Sequence, residues 1–343
     1  MNPAGETLGA TPAKPGRLGI GVIGAGKVGA VLGAALRATG HAVIGASAVS
    51  EDSRERAEAL LPGVPVLGIP EIVERAELVL LAVPDDALPE LVQGLAELGA
   101  WQPGQLVAHT SGRYGVGVLA PVRAAGAVPL AMHPAMTFTG LSLDLSRLVD
   151  CSFGVTADPA MLPIAQALVV EMGAEPVVIA EADRPLYHVA LAHGANHLVT
   201  LTAQSAQLLS SIGVEAPERL LSPLLRASLE NALASGEHAL TGPVARADTG
   251  TLRSHIEALA EAVTEVPEAA AAYQAMAEAT AARAATRGRL SAQQHDAVQE
   301  ALGVGRGASV YPANAEHDTE EPHDTEEPHD TEEPHDTEKS EEQ

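Results

Sequence analysis

Gly24-Ala25-Gly26-Lys27-Val28-Gly29 follows directly on the apolar run Leu18 to Ile23 and opens the alanine-rich stretch Lys27 to Thr39. A strand that ends in G-x-G-x-x-G and passes at once into a helix predicts the first βαβ unit of a dinucleotide-binding sheet. Gly24 permits the tight turn, Gly26 lets a pyrophosphate approach the backbone, and Gly29 allows the helix to pack closely. The helix then meets the phosphates with free N–H groups and the positive end of its dipole. Residues 24–29 are therefore the first expected cofactor contacts: Gly24, Ala25, Gly26, Lys27, Val28 and Gly29. A merely structural glycine turn is the alternative.

The rest of the N-terminal half continues the pattern. Leu18–Ile23, His41–Ala46, Val64–Leu67, Glu77–Val83, Gln105–Thr110, Val128–His133, Ser152–Thr156 and Pro176–Ala180 read as strands. Helical stretches such as Pro159–Met172 fall between them. Alternating strands and helices predict a parallel sheet covered on both faces. Strand signals stop after Asp183, and Arg184–Ile212, Pro217–Ser235, Thr249–Val263 and Pro267–Arg287 all read as helix. The expected fold class is α/β: a Rossmann parallel-sheet domain over residues 17–182, then an all-helical domain over 183–303. Residues 1–16 are expected to be a disordered N-terminus. A tail over 304–343 carries His-Asp-Thr-Glu-Glu-Pro from His317, His323 and His329 and an altered copy from His335. A charged six-residue period with proline and no apolar face buries nothing, so disorder is expected there too.

Composition narrows the partners. The net charge is −25 over 343 residues, and Glu316–Gln343 holds 14 acids against the single base Lys339. So acidic a chain should repel nucleic acid and anionic membranes. One cysteine, Cys151, fits a reducing compartment. The first 17 residues lack a signal-peptide core, and no stretch has 18 uninterrupted apolar residues, so a cytoplasmic protein with no membrane span is expected.

An NAD enzyme usually places an acid about 20 residues after its glycines, at the end of the second strand. Ile44 to Ser50 has none before Glu51; Ser47, Ser50 and Arg54 stand there instead. Hydroxyls and a guanidinium suit a 2′-phosphate, which a carboxylate would repel. NADP (NADPH) is accordingly the expected cofactor; Arg54 pairing with Glu58 on a solvated helix face is the alternative. Val83-Pro84-Asp85 and His109-Thr110-Ser111-Gly112 end two further strands and point at the same crevice. Val83, Pro84, Asp85, His109 and Thr110 are expected around ribose and nicotinamide. His133 ends the next strand, on the substrate side or as a structural cap.

With these motifs the chain resembles the two-domain family in which a Rossmann-like domain precedes a domain of unknown function, DUF2520. The likeness runs from about Leu18 to about Leu259. It is carried by Leu80 to Asp86, by His109-Thr110-Ser111-Gly112, and by His133-Pro134 with Thr137-Phe138. Further along it is carried by Tyr187-His188, Asn196 and Leu240-Thr241-Gly242-Pro243-Val244-Ala245-Arg246-Ala247-Asp248. The family is similar to ketopantoate reductases, pyrroline-5-carboxylate reductases and 6-phosphogluconate-type dehydrogenases. That resemblance implies a helical substrate and dimerisation domain and a homodimer. It also implies NADP(H)-dependent reduction of a small carboxylate substrate, a ketopantoate-like 2-oxo acid or a cyclic imine. The alternative is a non-catalytic dinucleotide-binding regulator or scaffold.

Hydride transfer also needs a proton donor. Related β-hydroxyacid dehydrogenases use a Lys-x-x-x-Asn pair; Asn196 fits the second position, but Ala192 stands at the first, and no lysine lies between Lys27 and Lys339. Ser111, His188 and Asn196 are the catalytic candidates, with His188 first because imidazole donates a proton near neutral pH. Eight residues of helix separate His188 from Asn196, about 12 Å of rise and roughly 80° of rotation, so they cannot grip one atom. His193 and His197 have i, i+4 spacing but no third ligand, and no metal is expected. Thr241, Gly242 and Pro243 look similar to the substrate-holding turn of pyrroline-5-carboxylate reductases. The helix opening at Thr249 could receive a carboxylate; a corner capped by Asp248 or Thr249 is the alternative.

Overall fold

The computed structural model describes residues 17–303. Seven strands form one sheet: β1 (Gly19–Ile23), β2 (Ala42–Ser47), β3 (Leu78–Leu81), β4 (Leu106–His109), β5 (Val128–Pro134), β6 (Ser152–Ala157) and β7 (Glu175–Val178). The first seven helices lie among them: α1 (Lys27–Ala38), α2 (Glu51–Leu60), α3 (Ile69–Arg75), α4 (Leu88–Glu97), α5 (Ala120–Ala124), α6 (Leu143–Arg147) and α7 (Leu162–Glu171). Then follow α8 (Arg184–Ser211), α9 (Pro217–Ser235), α10 (Thr249–Glu261), α11 (Ala269–Thr286) and α12 (Ala292–Ala301). The predicted α/β domain and helical C-terminal region are both present. Expectations for residues 1–16 and 304–343 lie outside the described residues.

The sheet order is β2-β1-β3-β4-β5-β6-β7. β1 to β5 run parallel, so their carboxyl ends share one edge, where β1 and β3 diverge into the crevice that ligands occupy in such sheets. Two expectations need correction. Val64–Leu67 is not a strand; a single parallel bridge joins Val66 to Ala46 beside β2. Pro65 has no N–H to extend the ladder, and Gly68 already caps α3. The sheet is also not wholly parallel, because β6 runs antiparallel to β5. Residues 135–151 join them and hold only short helical pieces, α6 and the 3-10 turn Leu148–Asp150; β6 itself makes the return, pairing Ala157 with Leu130 and Phe153 with Pro134.

Alternation along each strand divides the core in two. Leu78 and Leu80 enter one layer with Val22, Leu32 and Phe153. Val79 and Leu81 enter the opposite layer with Ile23, Val107 and Trp101. Both are built mainly of aliphatic side chains, the larger of which contribute roughly 1.5–3 kcal/mol each on full burial. Residues through Thr200 form one compact unit and those from Leu201 a second, the division falling inside α8. In the second unit Ala277, Ala281 and Ala284 make a small-residue stripe on α11 that packs with Leu252, Leu290, Val298 and Leu302. Methyl-sized contacts let these helices approach closely. No described helix is long and apolar enough to cross a membrane.

Candidate functional site

The glycines after β1 divide their work in space. Gly24 has φ +93°, and a Cβ there would lie 2.6 Å from the Ala82 carbonyl oxygen. A Cβ on Gly29 would lie 2.1 Å from the Gly24 oxygen, so α1 seats directly on the turn. Gly26, by contrast, has no atom within 4 Å of a Cβ position. It is the N-cap of α1, with no side chain closing the helix end. The unused N–H groups of that first turn, with the helix dipole behind them, face open space. Ser47 ties the turn to β2: its hydroxyl accepts from the Gly24 N–H at 3.0 Å and its carbonyl from the Ala25 N–H at 2.8 Å. Lys27 is exposed on the first turn of α1, and Val28 packs against the core.

Each residue expected on the ribose side has a definite local role. Ser47 is buried and already serves the turn. Ser50 is the N-cap of α2, its hydroxyl accepting from the Ser53 N–H. Arg54 is exposed and, among the described residues, has no ion-pair partner, Glu58 included. No carboxylate occupies the end of β2.

Beyond β3, Val83 and Asp85 are half-buried and Pro84 is exposed. Thr110 continues the sheet, its N–H donating to the Leu81 oxygen at 3.2 Å. His109 is completely buried. Its Nε2–H donates to the Gly115 oxygen at 2.8 Å, and its Nδ1 accepts from the Ser111 N–H at 3.2 Å. Both ring nitrogens are thus committed to the turn, and burial pushes the imidazole pKa down to about 4. The backbone that His109 shapes, not its ring, is what this strand end can present to a ligand. Ser111 is buried, with its hydroxyl accepting from the Tyr114 N–H at 3.3 Å.

A polar corner forms around Gly112. A Cβ there would lie 2.8 Å from His188 Cδ2 and 2.9 Å from His133 Nε2, so both rings press on the Gly112 backbone. The ring centroids of His133 and His188 are 6.2 Å apart. His133 Nδ1 is 2.8 Å from the Tyr187 hydroxyl. Burial, aided by the charge of Arg184, lowers the His133 pKa to about 4, whereas burial raises that of Tyr187. At neutral pH the imidazole is uncharged and the phenol keeps its proton. Arg184 is itself buried; its Nε donates to Thr156 Oγ1 at 2.8 Å and its NH2 group to the Gly154 oxygen at 2.9 Å, while its NH1 group has no partner among the described residues.

Of the catalytic candidates, His188 lies at this corner with His133, and Ser111 is the residue before Gly112 with its hydroxyl turned to the Tyr114 N–H. Asn196 does not lie there: it is exposed on α8, about 12 Å of helix rise beyond His188. Tyr187 was not among the site candidates. Its signal was its place one residue before His188, three after Arg184, at the start of the first long helix. His193 and His197 are exposed with Nδ1 atoms 2.9 Å apart. No group of three metal-binding side chains occurs among the described residues.

In the second unit, Thr241 and Pro243 flank Gly242, which has φ +100°. The Pro243 oxygen accepts from the Asp248 N–H at 2.9 Å. Asp248 caps α10, accepting from the Thr251 N–H at 3.1 Å and the Thr251 hydroxyl at 2.7 Å. Asp248 thus brings the chain's own carboxylate to that helix end.

A model of the Rossmann-like domain matches residues 5–134, and one of the domain of unknown function DUF2520 matches residues 151–280. No curated protein matches the chain in sequence. Among solved structures, a candidate NADP oxidoreductase from Bacteroides fragilis is 21% identical with a TM-score of 0.63, covering 77% of this chain and 98% of that one. A protein from Thermotoga maritima is 21% identical with a TM-score of 0.57, covering 78% and 99%. An imine reductase from a Pseudomonas species is 18% identical with a TM-score of 0.58, covering 84% and 100%. At these identities the likeness is one of fold.

Proposed function

Since the chain belongs to the family that joins a Rossmann-like domain to DUF2520, we propose that it is an NADP(H)-dependent reductase of a small 2-oxo acid or cyclic imine. The observation that carries this reading is the open space in front of Gly26, facing an uncapped helix N-terminus between two sterically fixed glycines. A turn with only a structural purpose would have no use for a glycine where no atom approaches. NADP is favoured over NAD by the missing carboxylate at the end of β2 and by the basic side chains that follow it.

When bound, the nicotinamide would supply the hydride; the chain must orient the acceptor and provide a proton. His188 is the proposed donor. Among the described residues its ring has no hydrogen-bond partner, whereas His133 and Tyr187 hold one another. Their pair stands behind it as a neutral, proton-exchanging contact. Arg184, charged and only partly hydrogen-bonded, biases the corner toward an acceptor that carries a carboxylate, such as a ketopantoate-like acid. Thr241, Gly242 and Pro243 stay in the proposal as substrate-binding residues on the family likeness alone.

Titration with NADPH and NADH, followed by NADPH oxidation against 2-oxo acids and pyrroline-5-carboxylate, tests the reading. Turnover of any acceptor supports it. Tight binding without turnover would favour the regulator instead, and failure to bind either nucleotide would remove both. In an active protein, His188→Ala is expected to lower turnover by roughly 10²-fold or more with NADPH affinity retained; unchanged turnover would take His188 out of the mechanism.

A homodimer is part of the same proposal. Leu186, Val189 and Val199 on α8 and Leu224 and Leu233 on α9 are exposed, too many large apolar groups for two helices left in water. Light scattering on the purified protein should give twice the 35.1 kDa chain mass. A monomer at micromolar concentration would overturn the dimer.

A further inference from the structure

We propose that Lys27 and Arg56 form a two-cation clamp for the adenosine 2′-phosphate, with Arg56 rather than Arg54 setting the choice of nucleotide. This inference rests on the dinucleotide reading above and names the residues that would give it specificity.

The clamp is built on Gly140, in the loop between β5 and α6. That residue has φ +81°, and a Cβ on it would lie 2.9 Å from Arg56 Cδ, 3.0 Å from Arg56 Nε and 3.1 Å from Lys27 Cγ. The two basic side chains, one from the first turn of α1 and one from α2, therefore run across the same bare stretch of backbone. Asp144 fixes that backbone: its carboxylate accepts from the N–H groups of Thr139 and Gly140, both at 2.8 Å, and from the Thr139 hydroxyl at 3.0 Å. With Arg147 at 3.4 Å, this carboxylate has no capacity left for Lys27 or Arg56.

Two basic side chains that share one patch of backbone in a chain of net charge −25 offer a place for an anion. Among the described residues, the only carboxylate paired with Arg56 is Asp52 at 3.5 Å, on the adjacent helix turn and 78% exposed. Such a pair is worth little and yields readily to a phosphate. The uncapped end of α1, with nothing in front of Gly26, lies one residue from Lys27 and independently marks this side as one that receives phosphate. Arg54 is two residues from Arg56 on the same helix, about 200° around its axis. It is exposed, so both cannot reach one ligand. Because α2 follows β2, where the adenosine ribose lies in this class of sheet, Arg56 suits the 2′-phosphate. Lys27, on α1, bridges it to the pyrophosphate.

The test is the affinity of the full-length protein for NADPH and for NADH, measured calorimetrically for the parent, Arg56→Gln, Arg54→Gln and Lys27→Gln. Loss of one charge-assisted contact predicts a roughly 10- to 100-fold weaker NADPH complex for Arg56→Gln, with NADH unchanged. Arg54→Gln should weaken NADPH less than Arg56→Gln does, and Lys27→Gln should weaken both nucleotides. A parent that binds NADPH while Arg56→Gln keeps the same NADPH-to-NADH preference would overturn the clamp and leave the dinucleotide reading standing. Loss of both nucleotides' affinity in Arg56→Gln, with its circular dichroism intact, would assign Arg56 to the pyrophosphate and equally overturn it. A parent that binds neither nucleotide removes the reading beneath it.

Discussion

A Gly26→Ala variant is expected to melt at the parent temperature and to bind NADPH at least roughly 100-fold more weakly. Its φ of −78° is ordinary for alanine, and the added methyl would meet no protein atom within 4 Å. Only a ligand pressed against the backbone would encounter it. The neighbouring glycines should behave in the opposite way. Gly24→Ala combines a left-handed φ with a 2.6 Å approach to a backbone oxygen, and Gly29→Ala an approach of 2.1 Å to another. Strain and overpacking of this kind cost about 1–3 kcal/mol each. Their combination should lower the melting temperature of a domain this size by about 10 °C. Thermal melts set beside nucleotide titrations separate the two classes. Parent-like NADPH affinity in Gly26→Ala would mean that no pyrophosphate lies on this turn.

Acidification should destabilise the sheet-bearing unit from about pH 6.5 downward, before most carboxylates titrate. His109 is buried uncharged with a pKa near 4, against an ordinary value of 6.5, and His133 is depressed similarly. An unfolded chain takes up these protons from about pH 6.5 downward, whereas the folded one does so only near pH 4. Stability is therefore complete above pH 6.5 and falls through the interval to about pH 4. For His109 alone the loss is on the order of 3 kcal/mol. Trp101 reports it cleanly. It is the only tryptophan in the chain, it is buried in the same layer as Val107, and its indole N–H donates to the Val92 oxygen at 3.3 Å. Denaturant midpoints read from its fluorescence should fall steeply between pH 7 and pH 5. Identical midpoints at the two values would show that His109 is not held neutral.

Much of this fold could be read from spacing alone. Strand positions, the glycine turn and the long C-terminal helices all follow from local pattern, because apolar periodicity and glycine geometry are local properties. The failures arose where a non-local partner decides. Val64-Pro65-Val66-Leu67 looks like a strand until its proline has to donate to a ladder. The direction of β6 depends on how it pairs with β5, which no period within β6 reveals. At the site, Ser111, His133 and His188 were legible as polar groups at strand and helix ends. The commitment of the His109 ring was not, since it is settled by a carbonyl six residues away across a turn. Nor was Arg56, which gains its meaning from Gly140, a glycine 84 positions distant in sequence.

The near absence of lysine has a practical side. Among the described residues the chain has one primary amine on a side chain, that of Lys27, and it is exposed at the first turn of α1. Within residues 17–303 an acylating reagent applied to the folded protein thus has one side-chain amine to modify, on the first turn of α1. Among the described residues the chain carries its own single-site label for whatever comes to rest on that turn.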